Sequence, residues 1–209
     1  MLALPVAASS AVGAQSANNN GGPKVLRYAF RVAETGFDPA QVNDFYSSSI
    51  NGNIFDAPLA YDFLARPAKI VLNTAEAMPE TSSDFTTITV RIRPGIYFQD
   101  HPAFKGQKRE LTAQDYVYSI KRFYNPKFKS QNVTLLENSK ILGMSEIRAA
   151  ALKGAKFDYD REVEGVRALD RYTLRIKLGE PGPRFHHHLA NNSFLGAVAR
   201  EVDEMYDEN

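Results

Sequence analysis

Asn43, Asp44 and Phe45 stand near the start of a helix expected over residues 42–55. Val42, Tyr46, Ile50 and Ile54 recur every four residues and mark the face turned to the core. Asn43, Asp44 and Phe45 lie off that face, in the turn where free backbone N–H groups and the helix dipole favour anionic or polar ligand atoms. The alternative is a solvated first turn in which Asn43 or Asp44 simply caps the helix, and both roles stay open at this point. His186-His187-His188 raises the question of a metal. On a helix, adjacent positions point about 100° apart, so three consecutive histidines cannot converge on one ion. On a strand, His186 and His188 would share a face, but no Cys, Asp or Glu lies within two residues to complete a shell. The expectation for this run is structural, with no metal and no cofactor. Asp115 falls three residues after Thr112, the spacing of a cap rather than of a catalytic acid. A hydrolase would need a Ser or carboxylate poised near His101 or the His186 run, and nothing in the spacing favours one. There is no Gly-rich phosphate loop, nucleophile elbow or H-E-x-x-H zinc signature. The chemistry these residues fit is binding rather than catalysis.

The elements that must position them form a mixed α/β (α+β) pattern. Strands are expected over 24–32, 68–72, 86–93, 96–98 and 171–178, and helices over 112–124, 145–152, 185–189 and 198–206. Ile88, Val90 and Ile92 alternate with Thr87, Thr89, Arg91 and Arg93, the period of a half-buried sheet. Arg175 and Lys177 continue that pattern as solvent-facing positions. Pro94-Gly95 makes a turn. Thr112 and Asp115 open a helix whose Ala113, Tyr116, Val117, Ile120, Phe123 and Tyr124 share one face, and Asn125-Pro126 ends it. Ser145 suits an N-cap, with Gly154 just past the end of its helix. Residues 100–110 form a basic surface loop.

A chain of 209 residues, 44% of them hydrophobic, can build one sizeable core or two small ones. A net charge of +1 supplies no global field for nucleic acid or an anionic membrane. The lack of any Cys excludes disulfides, thiolate metal sites and a lipid-attachment cysteine in this chain. Leu2 to Ala14 is small, apolar and uncharged, and Asn18 to Gly22 is a polar linker. Residues 1–22 therefore read as the later part of a secretory signal peptide followed by a flexible linker, with cleavage after Ala14 or Ala17. The run is too short to span a bilayer.

Several strings in order resemble the family 5 extracellular solute-binding proteins, the peptide- and nickel-binding components of ABC importers. They are Ile92-Arg93-Pro94-Gly95, Phe98-Gln99-Asp100 and Leu111-Thr112-Ala113-Gln114-Asp115-Tyr116-Val117-Tyr118-Ser119. Gly36-Phe37-Asp38-Pro39 before them, and Val166 to Leu178 with Glu180-Pro181, Pro183 and Phe185 after them, are similar to further family segments. The resemblance spans about residues 24 to 206. It implies the N-terminal lobe of a type II periplasmic-binding-protein fold, incomplete, with residues 23–209 as a partial first lobe and its accessory subdomain. It also implies a periplasmic protein whose partners are a peptide or small polar solute and an ABC permease in the inner membrane, with no nucleic acid. Such proteins run well beyond 209 residues, so the expectation is a fragment or the product of a truncated gene, which would lack independent transport function. By position, Asn43 and Phe45 stand where family members touch bound peptide. Gln131 to Val133, centred on Asn132, stands where peptide-binding relatives supply an aromatic contact, and this sequence has no aromatic there.

Overall fold

The computed structural model describes residues 23–207 and divides the chain into two units, residues 1–31 and 32–209. The expected signal peptide and linker over 1–22 lie outside the described residues. In the first unit, residues 23–31 carry no helix or strand and are exposed throughout. The strand expected over 24–32 is therefore not formed. Its alternation is present, and Tyr28 and Phe30 touch edge to face with ring centroids 5.6 Å apart. Alternation alone makes no strand, because each strand needs a neighbour's backbone to pair with.

In the second unit, α1 (Phe45–Asn51) is shorter than the helix expected over 42–55. Asp44 caps it, so the helical phase starts there, and Ser47 and Asn51 are its buried residues. Val42 is buried ahead of the helix, whereas Ile54 is 55% exposed beyond it. β1 (Leu59–Tyr61) and β2 (Ile70–Leu72) make an antiparallel hairpin. β1 escaped the sequence reading because three residues are too few to show a period. β3 (Glu80–Thr81) and β4 (Thr87–Arg91) begin a second sheet. Residues 96–98 are extended as expected, but they pair with 109–111 through a bridge at Tyr97 and Glu110 rather than joining that sheet.

α2 (Ala113–Tyr124) starts at Thr112, whose N–H and Oγ1 both donate to the Asp115 carboxylate at 2.7 and 2.9 Å. The expected single buried face is an underestimate: every residue of α2 except Gln114 is buried. Its charged members are buried because each finds partners. Lys121 Nζ, for example, donates to the Tyr159 and Arg161 carbonyls at 2.8 and 2.7 Å. α3 (Val133–Asn138) was not foreseen, and α4 (Met144–Leu152) has Gly143 at its N-cap instead of Ser145. Gly143 takes φ +80°, which a side chain disfavours, so the chain turns there and the helix starts earlier.

β5 (Val166–Ala168) and β6 (Thr173–Lys177) complete an antiparallel sheet of order β3-β4-β6-β5. Ile88 faces Ile176 and Val90 faces Leu174 across β4 and β6. These four side chains are at most 2% exposed and pack with Tyr116, Ile120, Phe123 and Tyr124 of α2 into one core. A 3₁₀ turn (Phe185–Ala190) replaces the helix expected over 185–189, followed by α5 (Asn192–Leu195) and α6 (Arg200–Asp207). Among the described residues no helix is long and apolar enough to cross a membrane.

Candidate functional site

Residues 35–45 form an ordered approach to α1. Asp38 Oδ1 accepts from the Ala40 N–H at 2.9 Å, and its backbone carbonyl accepts from the Gln41 and Val42 N–H groups at 3.0 and 2.9 Å. Its carboxylate takes two bonds from the Arg122 guanidinium, at 2.6 and 2.9 Å. Arg122 is buried in α2, also pairs with Asp203 of α6 at 2.7 Å, and lies 4.4 Å over the Phe128 ring. This planar, bidentate geometry is one that Arg forms and Lys does not. Burial pushes the Asp38 carboxyl up, but the Arg122 bonds, with help from Gln41 and the Ala40 amide, outweigh it and hold it below the usual carboxylate range.

At the head of α1, Asp44 Oδ1 accepts from the Ser47 N–H at 2.9 Å and Oδ2 accepts from Thr35 Oγ1 at 2.6 Å. The Ser47 hydroxyl and amide, then the Thr35 hydroxyl, bring the Asp44 pKa down to about 2. Asp44 thus caps α1. Asn43 is exposed and Phe45 is 77% exposed, its ring edge to face with Tyr46 at 5.6 Å. Asn132, ninety positions from Val42, donates its side-chain amide to the Val42 carbonyl at 3.0 Å. All four sequence-derived candidates thus border one stretch of backbone, with Asn43 and Phe45 presented to solvent and Asp44 and Asn132 holding the stretch in place. Sequence reasoning missed Arg122, which anchors it. The available signal was a cation amid the apolar residues of α2, a position that demands a buried anion.

The histidine run lies in the 3₁₀ turn. His187 Nδ1 meets the Tyr61 hydroxyl at 2.7 Å with the rings stacked, while His188 lies edge to face with Phe185 and Phe194. Burial, and then the neighbouring His187, lower the pKa of His186 and His188. Among the described residues no three His, Asp or Glu side chains converge as a metal set.

Residues 69–206, well over half the chain, match the family described as bacterial extracellular solute-binding proteins, family 5 Middle. The chain belongs to this family. The periplasmic oligopeptide-binding protein OppA of Escherichia coli (strain K12) is 30% identical over 171 residues, 82% of this chain and 28% of that protein. The oligopeptide-binding protein AmiA of Streptococcus pneumoniae serotype 4 is 25% identical over 201 residues, 93% of this chain and 27% of that protein. This family 5 chain therefore spans less than a third of the length of these relatives. The Escherichia coli murein tripeptide binding protein MppA superposes with a TM-score of 0.65 at 25% identity, over 84% of this chain and 30% of that one. Peptide-bound OppA of Listeria monocytogenes gives a TM-score of 0.66 at 19% identity, over 84% and 31%, a likeness of fold. Over the part it spans, the family 5 chain has the OppA-type periplasmic binding fold.

Proposed function

We propose that this chain is the N-terminal portion of the periplasmic, peptide-binding component of an ABC importer. It acts by binding and performs no chemistry on its ligand. The observation that carries the reading is the 171-residue similarity to an oligopeptide-binding protein. In this reading residues 1–22 are a signal-peptide remnant and linker, and residues 23–209 are a partial first lobe with its accessory subdomain. The peptide lies along the approach to α1, where the Phe45 ring and the Asn43 amide meet it. Asn132 and Asp44 fix the backbone behind them, and the loaded protein is handed to a permease in the inner membrane. An extended peptide suits such a surface, because its backbone hydrogen bonds are independent of side-chain identity.

The test is thermal unfolding of the full chain with and without a pool of short peptides. A ligand that binds only the folded form raises the midpoint, so a peptide-dependent rise absent with free amino acids is expected. Phe45→Ala should leave stability within about 0.5 kcal/mol, as for an exposed side chain, while weakening peptide binding roughly tenfold. A midpoint blind to peptide, or a Phe45→Ala chain that binds as the parent does, would overturn this placement.

A further inference from the structure

The hairpin tip between β1 and β2, residues 62–69, presents Phe63 and Leu64 with 90% of each side chain exposed. Solitary exposed apolar residues are ordinary, but two adjacent ones on an ordered tip mark a contact surface. The tip is ordered. Asp62 Oδ1 accepts from the Leu64 and Ala65 N–H groups at 2.9 and 3.3 Å. Arg66 Nη1 donates to the Phe63 and Ala65 carbonyls at 3.2 and 2.8 Å, and the Asp62 N–H donates to the Lys69 carbonyl at 2.9 Å. Holding the two apolar side chains outward in advance reduces the ordering cost of docking. Arg66 and Lys69 flank them, and neither forms an ion pair among the described residues.

Elsewhere in the same unit a half-open cavity of about 450 Å³ lies between the 96–101 segment and the entry to α6. Phe98, Phe104, Val198 and Val202 give it apolar walls, and Asp56 and Asp100 stand among its lining. No lysine or arginine lines it. Its size falls in the range of sites that enclose small groups, which suffices for two apolar side chains.

The protruding tip is apolar with cations beside it, and the cavity is apolar with carboxylates beside it. We propose that the Phe63–Leu64 tip of one copy of this chain seats in this cavity of a second copy, with Lys69 and Arg66 brought against Asp100 and Asp56. Apolar character and charge each match between the two surfaces. Because tip and cavity are different surfaces, the contact is heterologous, and each added copy brings a further tip and cavity.

Sedimentation velocity of the 209-residue chain over a concentration series tests this. The expected result is a mass that climbs above the monomer with concentration and falls back as salt screens the charged pairs. Phe63→Ser with Leu64→Ser should weaken association roughly tenfold or more, as loss of a central apolar anchor does. Both side chains are solvent-exposed, so circular dichroism should be unchanged. Lys69→Glu and Asp100→Lys should each weaken association alone, and mixing the two variants should restore it. A parent chain that stays monomeric overturns the proposal, as does tip-variant assembly equal to the parent. So does a monomer that instead floats with anionic phospholipid vesicles through Phe63 and Leu64, because the tip would then serve a lipid surface.

Discussion

Arg122 is where a single residue matters most. Its side chain is 3% exposed and answers two carboxylates, Asp38 and Asp203, that are 25% and 15% exposed. Removing one partner of a buried ion pair costs about 3–5 kcal/mol, because the other charge is left without compensation. Residual exposure of the two acids screens them somewhat, so Arg122→Leu should destabilise the chain by about 3 kcal/mol, read from urea unfolding midpoints. Arg122→Lys should recover only part of that, since an ammonium cannot make the bidentate contact. Asp44 acts at the same scale through pH. Its folded pKa of about 2 lies below the unfolded aspartate value of about 3.9. A depressed carboxylate adds stability that is present above the unfolded value and lost as pH falls through the folded one. Stability should therefore decline between about pH 4 and pH 2. Asp44→Asn keeps a good capping side chain without the titration, and acid unfolding followed by circular dichroism should show a shallower decline for it in that window.

Among the elements, α2 and α6 hold the fold's separate parts together through arginines that each bridge two acids. Arg109 joins Asp115 at 2.6 Å to Glu201 at 2.8 Å, Arg122 joins Asp38 to Asp203, and Arg200 joins Asp160 at 2.5 Å to Glu204 at 2.6 Å. Except within the Arg109–Asp115 and Arg200–Glu204 pairs, these contacts cross between segments far apart in the chain, and so α6 is fixed onto the body that α2 builds. At the other end of the sheet, β5 is admitted by close backbone approach. Gly165 donates its N–H to the Leu142 carbonyl at 2.9 Å, and a Cβ at this position would collide with the Leu142 backbone and the Ile141 side chain. The obstacle is backbone, which cannot rotate aside. Gly165→Ala should therefore cost about 2 kcal/mol, within the range for overpacking. A denaturation midpoint equal to that of the parent would show that residues 141–142 yield.

At the scale of the molecule, the two units contrast. Residues 32–207 supply the buried core, whereas residues 23–31 are exposed and without regular structure. That contrast predicts the order of cleavage. Trypsin at low dose should cut after Lys24, Arg27 or Arg31 before any site in α2, β4 or β6, where opening requires disruption of the core. Mass spectrometry of the first products should show a fragment ending at Asn209 and starting between residues 25 and 32. Early cleavage inside 113–124 would contradict the packing described above.

Local rules were enough wherever the decisive partner lies close in sequence. The Thr112–Asp115 cap, the Pro94-Gly95 turn and the Ile88–Val90 alternation were legible because a few neighbouring residues settle each one. The ordered strings from Gly36 to Phe185 were enough to identify the family. Tertiary structure decided the rest, for reasons of distance. The 24–32 alternation failed to become a strand because, among the described residues, no neighbouring strand is assigned beside it. α2 is buried on all sides because Lys121 and Arg122 find carbonyls and carboxylates that are remote in sequence. The four candidate residues border one stretch of backbone, yet the sequence could not say which of them hold that stretch and which face solvent. Whether Asn132 reaches the Val42 carbonyl depends on a distance across the fold, and a linear pattern of residue types carries no information about that.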